Sequence, residues 1–141
     1  LYLCGRVFKE QQDLIKSKKF TNVILTGFVD PTKYLLKSDV FVFPTMMEGS
    51  AKAVYEAMSC SLPVITTKEA GSIVDHKKNG ILITSKNLYQ LNKAMSLFIK
   101  KKKLIKKFGK DAYEKSKKFT WKIYSKKVVN ILKYGLSFEL P

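Results

Sequence analysis

Short apolar runs alternate with helical stretches over the first part of the chain, and this alternation most constrains the fold. The runs are rich in Val, Ile, Leu and Phe, a composition typical of strands buried on both faces of a sheet. Strands separated by helices favour parallel pairing with helices on both faces. We therefore expect an α/β, Rossmann-like fold. The predicted strands are residues 1–4, 22–26, 40–43, 64–66 and 81–83.

Helices are predicted between these strands and throughout the last part of the chain. Asp30 and Pro31 suit the start of a short helix, with Asp as the cap and Pro in the first turn. Pro63 follows another helix and blocks its continuation. The predicted helices cover residues 7–18, 32–37, 50–60, 87–100, 103–117 and 120–134, with a brief helical turn at 71–75.

Two of the C-terminal helices carry apolar stripes at helical spacing. Such stripes are typical of faces packed into a core, so we expect both to be buried. The first comprises Leu91, Met95, Leu97 and Phe98, and the second comprises Trp121, Tyr124, Val128, Ile131 and Leu132.

Two carboxylates flank the start of one predicted helix. Glu48 and Glu56 lie eight residues apart, after the apolar run that ends at Pro44. On a helix this spacing corresponds to about 12 Å and a rotation of roughly 80°, so both side chains can touch one elongated ligand. Glycosidase carboxylates stand about 5 to 9.5 Å apart around a single bond. The spacing therefore favours holding a ligand, and each carboxylate offers two acceptor oxygens to a sugar diol.

The segment between this strand and helix suits a phosphate-bearing ligand. The first amides of a helix are unpaired and lie at the positive end of its dipole, and Gly49 would let backbone amides approach an anion closely. A simpler interpretation stays open at this point. Glu48 could be only a favourable first-turn residue and Glu56 a solvated position on an amphipathic helix.

A resemblance to a known family appears in the residues around the two glutamates. Residues 38–80 contain Ser-Asp-Val-Phe-Val-Phe-Pro-Thr, Glu-Gly-Ser-Ala-x4-Glu-Ala-Met-Ser-Cys, Leu-Pro-Val-Ile-Thr-Thr, Ala-Gly-Ser-Ile-Val and Asn-Gly-Ile-Leu. Further on, Phe119-Thr120-Trp121 is similar to the aromatic segment that opens the family's last helix. Together these motifs resemble the donor-binding, C-terminal half of retaining family 4 glycosyltransferases, which have the GT-B fold. The likeness extends over nearly the whole chain.

The resemblance implies a role for each residue of the motif. Glu48 would lie beside the transferred sugar as the catalytic residue, and Glu56 would bind the nucleotide ribose. The backbone amides of Gly49, Ser50 and Ala51 would meet the sugar and the diphosphate. Ala51 stands where many members have a second glycine, which hardly alters this role because an alanine amide serves nearly as well.

Several other positions have two open interpretations. Gly27 and Phe28 would run beside the nucleotide base, although Gly27 equally suits a turn at a strand end. Residues 70–72 could reach the ligand or only begin a helical turn. Arg6 could contact a phosphate or lie on the surface of the first helix. Ser61 replaces a glycine of the family pattern, and glycine often supplies a positive φ at such a turn.

The predicted function is transfer of a sugar, with retention, from a nucleotide diphosphate sugar to a glycan or lipid-linked acceptor. At 141 residues the chain corresponds to about one domain. We interpret residues 1–141 as the donor-binding domain, lacking the acceptor domain and the first strand-helix unit. Alone it should bind weakly and transfer nothing. The scheme needs neither metal nor cofactor, and the sequence has no Asp-x-Asp cluster.

Three alternatives stay open. A nucleotide-sugar epimerase of the same fold would need other acid-base residues. A phosphorylase would need a pyridoxal-binding lysine in a setting that the sequence does not show. A noncatalytic basic module would bind anions or a membrane surface through its lysines, with the glutamates incidental.

The chain is strongly basic, with a net charge of +16, and Arg6 is the one arginine among 27 basic residues. Nucleic-acid readers usually include arginine for bidentate contacts, so we predict no nucleic-acid partner. Two explanations of the lysine excess stay open: a compositional bias towards lysine, and binding to an anionic membrane surface.

Cysteine usage and hydropathy suggest a location. Cys4 and Cys60 are expected to be small buried hydrophobes, and the single histidine, His76, cannot form a His-based metal cluster by itself. The sequence shows neither a signal peptide nor an apolar run near 18 residues. We therefore expect a cytoplasmic protein, with a peripheral membrane association as an option.

Overall fold

The computed structural model describes residues 1–135, and these fall into two compact units. The first unit is Leu1–Lys37 and the second begins at Ser38. Strands pair in parallel within each unit, and helices lie on both sides of the sheets. The predicted α/β class is confirmed.

The first unit consists of two strands and two helices. Its strands pair with Tyr2 opposite Ile24. Asp30 fixes the start of the second helix as expected, because its Oδ1 accepts hydrogen bonds from the backbone N–H and the hydroxyl of Thr32 at 2.9 and 2.7 Å. The Thr32 hydroxyl is the main reason why the pKa of Asp30 lies below its usual value. The elements are β1 (Tyr2–Cys4), α1 (Lys9–Ser17), β2 (Ile24–Gly27) and α2 (Thr32–Leu35).

The second unit contains a three-stranded parallel sheet in the order β3-β4-β5. All four residues of the central strand are buried, as the apolar runs predict for strands covered on both faces. The elements are β3 (Phe41–Phe43), α3 (Lys52–Ser59), β4 (Val64–Thr67), a 3₁₀ turn (Lys68–Ala70), β5 (Gly80–Ile83), α4 (Leu88–Lys100), α5 (Lys102–Ser116) and α6 (Trp121–Tyr134).

The core of the second unit lies between this sheet and helices α4 and α5. Phe98 is 1% exposed, and its ring meets that of Phe108 edge to face, with centroids 5.8 Å apart. Leu91 and Leu97 are half-buried and pack against the same cluster, so the predicted burial of the α4 stripe is confirmed for Phe98 and in part for these two residues. Met95, at 39% exposed, is the exception.

Helix α5 packs against α3 and the turn that follows it. A Cβ on Gly109 would lie 2.2 Å from the carbonyl oxygen of Ser61, so this close approach requires a glycine. Ser61 itself has a φ of +61°, the positive value that a glycine would adopt at less cost.

Three expectations about burial and position are wrong. Helix α6 has no buried residue, and Trp121 and Leu132 are 73% and 79% exposed. Cys4 is exposed and Cys60 is half-buried, because β1 exposes alternate residues and Cys60 lies just beyond the end of α3. Arg6 is exposed, as one of its two interpretations predicts, but it precedes α1, which begins two residues later than predicted.

The helical turn expected at residues 71–75 also lies elsewhere. A 3₁₀ turn occupies Lys68–Ala70, and Gly71 ends it with a φ of +56°. A left-handed residue stops a helix at that position. Within residues 1–135, no helix combines the length and the apolar character that crossing a bilayer requires.

Candidate functional site

The loop between β3 and α3 leaves the carboxyl edge of the sheet, where open parallel sheets bind their ligands. Two buried threonines of β4 hold its first part. The hydroxyl of Thr66 donates to the carbonyl of Phe43 at 2.8 Å, and that of Thr67 donates to the carbonyl of Thr45 at 2.7 Å. Both threonines are at most 1% exposed. Neither threonine has a role predicted from the sequence: Thr66 lies at the end of a predicted strand and Thr67 just after it. Polar side chains at the end of a buried apolar run were the available signal.

The 3₁₀ turn after β4 holds the second part of the same loop. The N–H of Glu48 donates to the carbonyl of Glu69 at 2.9 Å, and the N–H of Ala51 donates to the carbonyl of Ala70 at 3.0 Å. The segment from 48 to 51 is therefore tied at both ends to one neighbouring turn.

Gly71 supports the middle of this segment by close contact. A Cβ at this position would lie 2.1 Å from the carbonyl oxygen of Gly49. Gly71 also has a positive φ of 56°, which glycine adopts without strain. The two interpretations of residues 70–72 were contact with the ligand and the start of a helical turn. The structure shows a different role for Ala70 and Gly71, which support the loop from behind.

Within the tied segment from 48 to 51, two backbone amides are unpaired. Among residues 1–135, the N–H groups of Gly49 and Ser50 form no hydrogen bond, and both residues are exposed. The structure contradicts the prediction that Ala51 supplies a third donor. Ala51 is 4% exposed, and its N–H already donates to the carbonyl of Ala70. Helix α3 begins at Lys52 and not at Ser50 as predicted, with Ala51 as its uncapped N-cap residue.

The two predicted carboxylates lie at opposite ends of this loop and helix. Glu48 is exposed on the loop. Glu56 is on α3, where its Oε1 forms an ion pair with Nζ of Lys52 at 3.0 Å. The two side chains are 37% and 71% exposed, so the pair contributes only about 0.3–0.5 kcal/mol. The Lys52 contact was missed, although the spacing of four residues was a signal for it.

Gly27 and Phe28 lie in the first unit, at the end of β2. They line a cavity of about 320 Å³ together with Arg6 and Leu25. Gly27 has the turn conformation, with a φ of +70°, and its carbonyl accepts a hydrogen bond from the N–H of Gly5 at 2.8 Å. Phe28 is 96% exposed. Both interpretations of Gly27, as a turn residue and as part of a binding surface, are therefore compatible with its position.

His76, Asp75 and Lys115, which lie outside this loop, form contacts within the fold. Nδ1 of His76 accepts a hydrogen bond from the N–H of Leu82 at 3.1 Å. Lys115 donates to Asp75 at 2.6 Å and is the main reason why the pKa of Asp75 is lowered. In the part of the chain that the structure describes, no three His, Cys, Asp or Glu residues are grouped to hold a metal ion. Independence from metal stays a prediction.

Comparison with known proteins identifies the family. The model of glycosyl transferases group 1 matches residues 1–115. An uncharacterized glycosyltransferase of Methanocaldococcus jannaschii is 30% identical over 122 residues, which is 83% of this chain and 35% of that protein. The chain spans between 13% and 35% of the length of the curated relatives that it matches.

Solved structures show the same fold at lower identity. Helices and strands superpose on TarM of S. aureus with a TM-score of 0.84 at 24% identity, over 94% of this chain and 28% of that one. HepE of Anabaena, solved in complex with UDP-glucose, gives a TM-score of 0.80 at 21% identity, over 93% and 40% of the two chains. The structural matches show the fold, and the family match over residues 1–115, together with the 30% identity to the Methanocaldococcus jannaschii protein, leads to one conclusion: this chain belongs to the glycosyl transferases group 1.

Proposed function

We propose that the chain binds a nucleotide diphosphate sugar and is the donor-binding domain of a retaining, family 4 glycosyltransferase. The observation that carries this proposal is the pair of unpaired amides at Gly49 and Ser50, which precede α3 and are held from behind by the turn after β4. Such amides and the helix dipole suit a diphosphate. Membership of the family supports a sugar linked to that diphosphate, as in the UDP-glucose complex of HepE.

Each part of the site then has a chemical task. When the sugar leaves, negative charge develops on the diphosphate, and the amides of Gly49 and Ser50 would offset part of it. Glu48 would lie beside the sugar. Glu56 would exchange its weak pair with Lys52 for hydrogen bonds from the ribose hydroxyls. Neither a metal nor a cofactor has a step in this scheme.

The rest of the proposal concerns the complete protein. Residues 1–141 would supply donor binding, and a glycan or lipid-linked acceptor would be recognised by another domain. The reaction would take place in the cytoplasm. An epimerase of the same fold is less well supported, because the family that the chain matches is one of glycosyl transferases.

The test is a titration of this chain with UDP, ADP and GDP and with their sugar conjugates, in which ligand-observed NMR measures binding. Glu56→Ala should weaken binding about tenfold or more, since a hydrogen bond to a charged group contributes about 1.5–3 kcal/mol. Glu114→Ala is the matched control, because Glu114 also pairs with a lysine on an exposed helix surface, at 2.8 Å from Lys117. It should leave binding unchanged.

A different result would favour the noncatalytic basic module. In that case any polyanion would bind equally, binding would fall steeply with salt, and Glu56→Ala would behave like Glu114→Ala. Such an outcome would contradict the donor site.

A further inference from the structure

A pair of side-chain hydroxyls lies beside the two unpaired amides of the proposed donor site. The hydroxyl of Ser50 donates a hydrogen bond to Oη of Tyr55 at 3.1 Å. Ser50 also carries one of the unpaired amides, and only its Cα and Cβ separate that amide nitrogen from the hydroxyl oxygen. An anion that binds to this amide therefore comes within reach of the Ser50 hydroxyl.

The pair has one hydroxyl hydrogen to spare. Each hydroxyl offers one donor and two acceptor positions, so a hydrogen bond between two hydroxyls uses only one of their two hydrogens. Within residues 1–135, neither of these two hydroxyls forms a second hydrogen bond. Because hydroxyl hydrogens rotate, the direction of the bond can reverse. Tyr55 then donates to Oγ of Ser50, and the Ser50 hydrogen is free for an anion.

Tyr55 is held in place on its other side by an aromatic contact. It is a half-buried residue of α3, and its ring meets that of Phe119 edge to face, with centroids 6.0 Å apart. This is a preferred geometry for aromatic pairs. The backbone of Phe119 is tied to the end of α5, since its N–H donates to the carbonyl of Ser116 at 2.9 Å. The phenol oxygen therefore has a defined position beside Ser50.

The hydroxyl makes up for a donor that the loop lacks. The motif predicts three backbone amides for the sugar and the diphosphate, but the N–H of Ala51 donates to the carbonyl of Ala70. Ala51 is the N-cap residue of α3 and has no side-chain cap to offer instead. The Ser50 hydroxyl is a polar group of the same loop that can act in place of this amide. A hydrogen bond from it to a charged oxygen is stronger than one between neutral groups.

We propose that the Ser50 hydroxyl is the third hydrogen-bond donor to the diphosphate of the nucleotide sugar, and that Tyr55 positions it by donating to Ser50 Oγ. This inference rests on the proposed donor site and adds two side chains to it. Tyr55 acts through Ser50 and does not itself touch the ligand. Hydrogen bonds in a chain polarise one another, so the bond from Tyr55 strengthens the one from Ser50 to the phosphate oxygen.

Variants without a change of charge test this directly, because they leave the general attraction between a basic chain and an anion unaltered. Ligand-observed NMR measures the binding of UDP, ADP and GDP and of uridine, adenosine and guanosine. For the diphosphate that binds most tightly, Ser50→Ala should weaken binding by roughly three- to tenfold. It should leave binding of the matching nucleoside unchanged, whereas Glu56→Ala should weaken both. Ser50→Thr keeps the hydroxyl and should bind the diphosphate nearly as well as the unaltered chain.

Tyr55→Phe tests the positioning role, since it keeps the ring contact with Phe119 and removes only the phenol oxygen. It should weaken diphosphate binding by about two- to fourfold. This loss should disappear when Ser50 is already alanine, because coupled residues are not additive. Tyr124→Phe is the matched control: the ring of Tyr124 also meets an aromatic neighbour, Trp121, edge to face with centroids 5.8 Å apart. The control should bind like the unaltered chain.

The outcomes separate this inference from the donor site itself. If Glu56→Ala weakened binding and Ser50→Ala did not, the donor site would stand and the role of Ser50 would be overturned. Equal losses for diphosphate and nucleoside in Ser50→Ala would also overturn it, since the hydroxyl would then only shape the loop. A loss in Tyr55→Phe that persisted in the Ser50→Ala background would refute the positioning role. If neither Glu56→Ala nor Ser50→Ala weakened binding, the donor site would fail together with this inference.

Discussion

Replacing Gly71 with alanine tests the link between the support of the loop and its function. The residue has two properties that alanine lacks. Its φ of +56° is left-handed, and its Cα faces the backbone of Gly49, where a Cβ would lie 2.1 Å from the carbonyl oxygen. The neighbour is backbone, so a side-chain rotation cannot relieve the clash. The segment from 48 to 51 must move instead.

The expected loss of stability follows from these two terms. A left-handed conformation disfavours alanine by about 1–2 kcal/mol, and insertion of a methyl group into a packed contact costs about 1–3 kcal/mol. The lower entropy of the unfolded alanine variant offsets about 0.4–1 kcal/mol. Gly71→Ala should therefore lower the free energy of unfolding by about 1–4.6 kcal/mol, a large part of the stability of a typical domain.

Gly27→Ala is the matched control for this measurement. Gly27 has a φ of +70°, but nothing lies within 4 Å of its expected Cβ, so only the backbone term applies. Urea unfolding followed by circular dichroism gives both losses. If Gly71→Ala were no less stable than Gly27→Ala, the contact with Gly49 would not support the loop. Below the unfolding transition, Gly71→Ala should also weaken nucleotide binding, because the amides would be displaced.

Three further predictions concern the structure around the site. Gly109→Ala should lower the melting temperature, because the new Cβ would lie 2.2 Å from a backbone carbonyl oxygen. Alanine is the better helix former by about 1 kcal/mol, so a stabilised variant would refute the importance of this contact. Thr67→Val should lower the free energy of unfolding by about 1–3 kcal/mol in urea titration, because the carbonyl of Thr45 loses its donor, and an unchanged midpoint would contradict it. Lys115→Met should destabilise by less than about 1 kcal/mol at pH 7, since Asp75 is 44% exposed. The pKa of Asp75 is lowered in the folded protein, so this stabilisation is present above about pH 4 and disappears as the pH falls through the lowered pKa. If the destabilisation of Lys115→Met were the same at every pH of an acid titration, the result would contradict this prediction.

Much of the fold could be predicted from the sequence because local patterns and tertiary packing agree in most of it. The five predicted strands all exist, with bounds shifted by at most two residues at either end. The start of α2 follows from Asp30, whose hydrogen bonds to Thr32 are local. The stripe of α4 is buried where Phe98 meets Phe108. In these places the residue types and the final environment favour the same structure.

The errors occur where a partner distant in sequence decides the outcome. Nothing near Ala51 indicates that its amide is taken by Ala70, nineteen residues later. The periodicity of α6 predicts a face that should be covered, but it cannot specify whether the cover lies within the described chain. The position of the 3₁₀ turn depends on Gly71, whose positive φ comes from its contact with the loop as much as from its residue type.

The two ends of the proposed site differ in how far they are organised before a ligand arrives. At the phosphate end, three contacts from residues 69–71 fix the loop, so the unpaired amides of Gly49 and Ser50 are set during folding. Little conformational freedom is then lost on binding there. At the other end Glu56 must first leave Lys52, a weak and exposed partner. In this proposal the diphosphate therefore sets the position of the donor, and the Glu56 carboxylate then adjusts to the ribose of that donor.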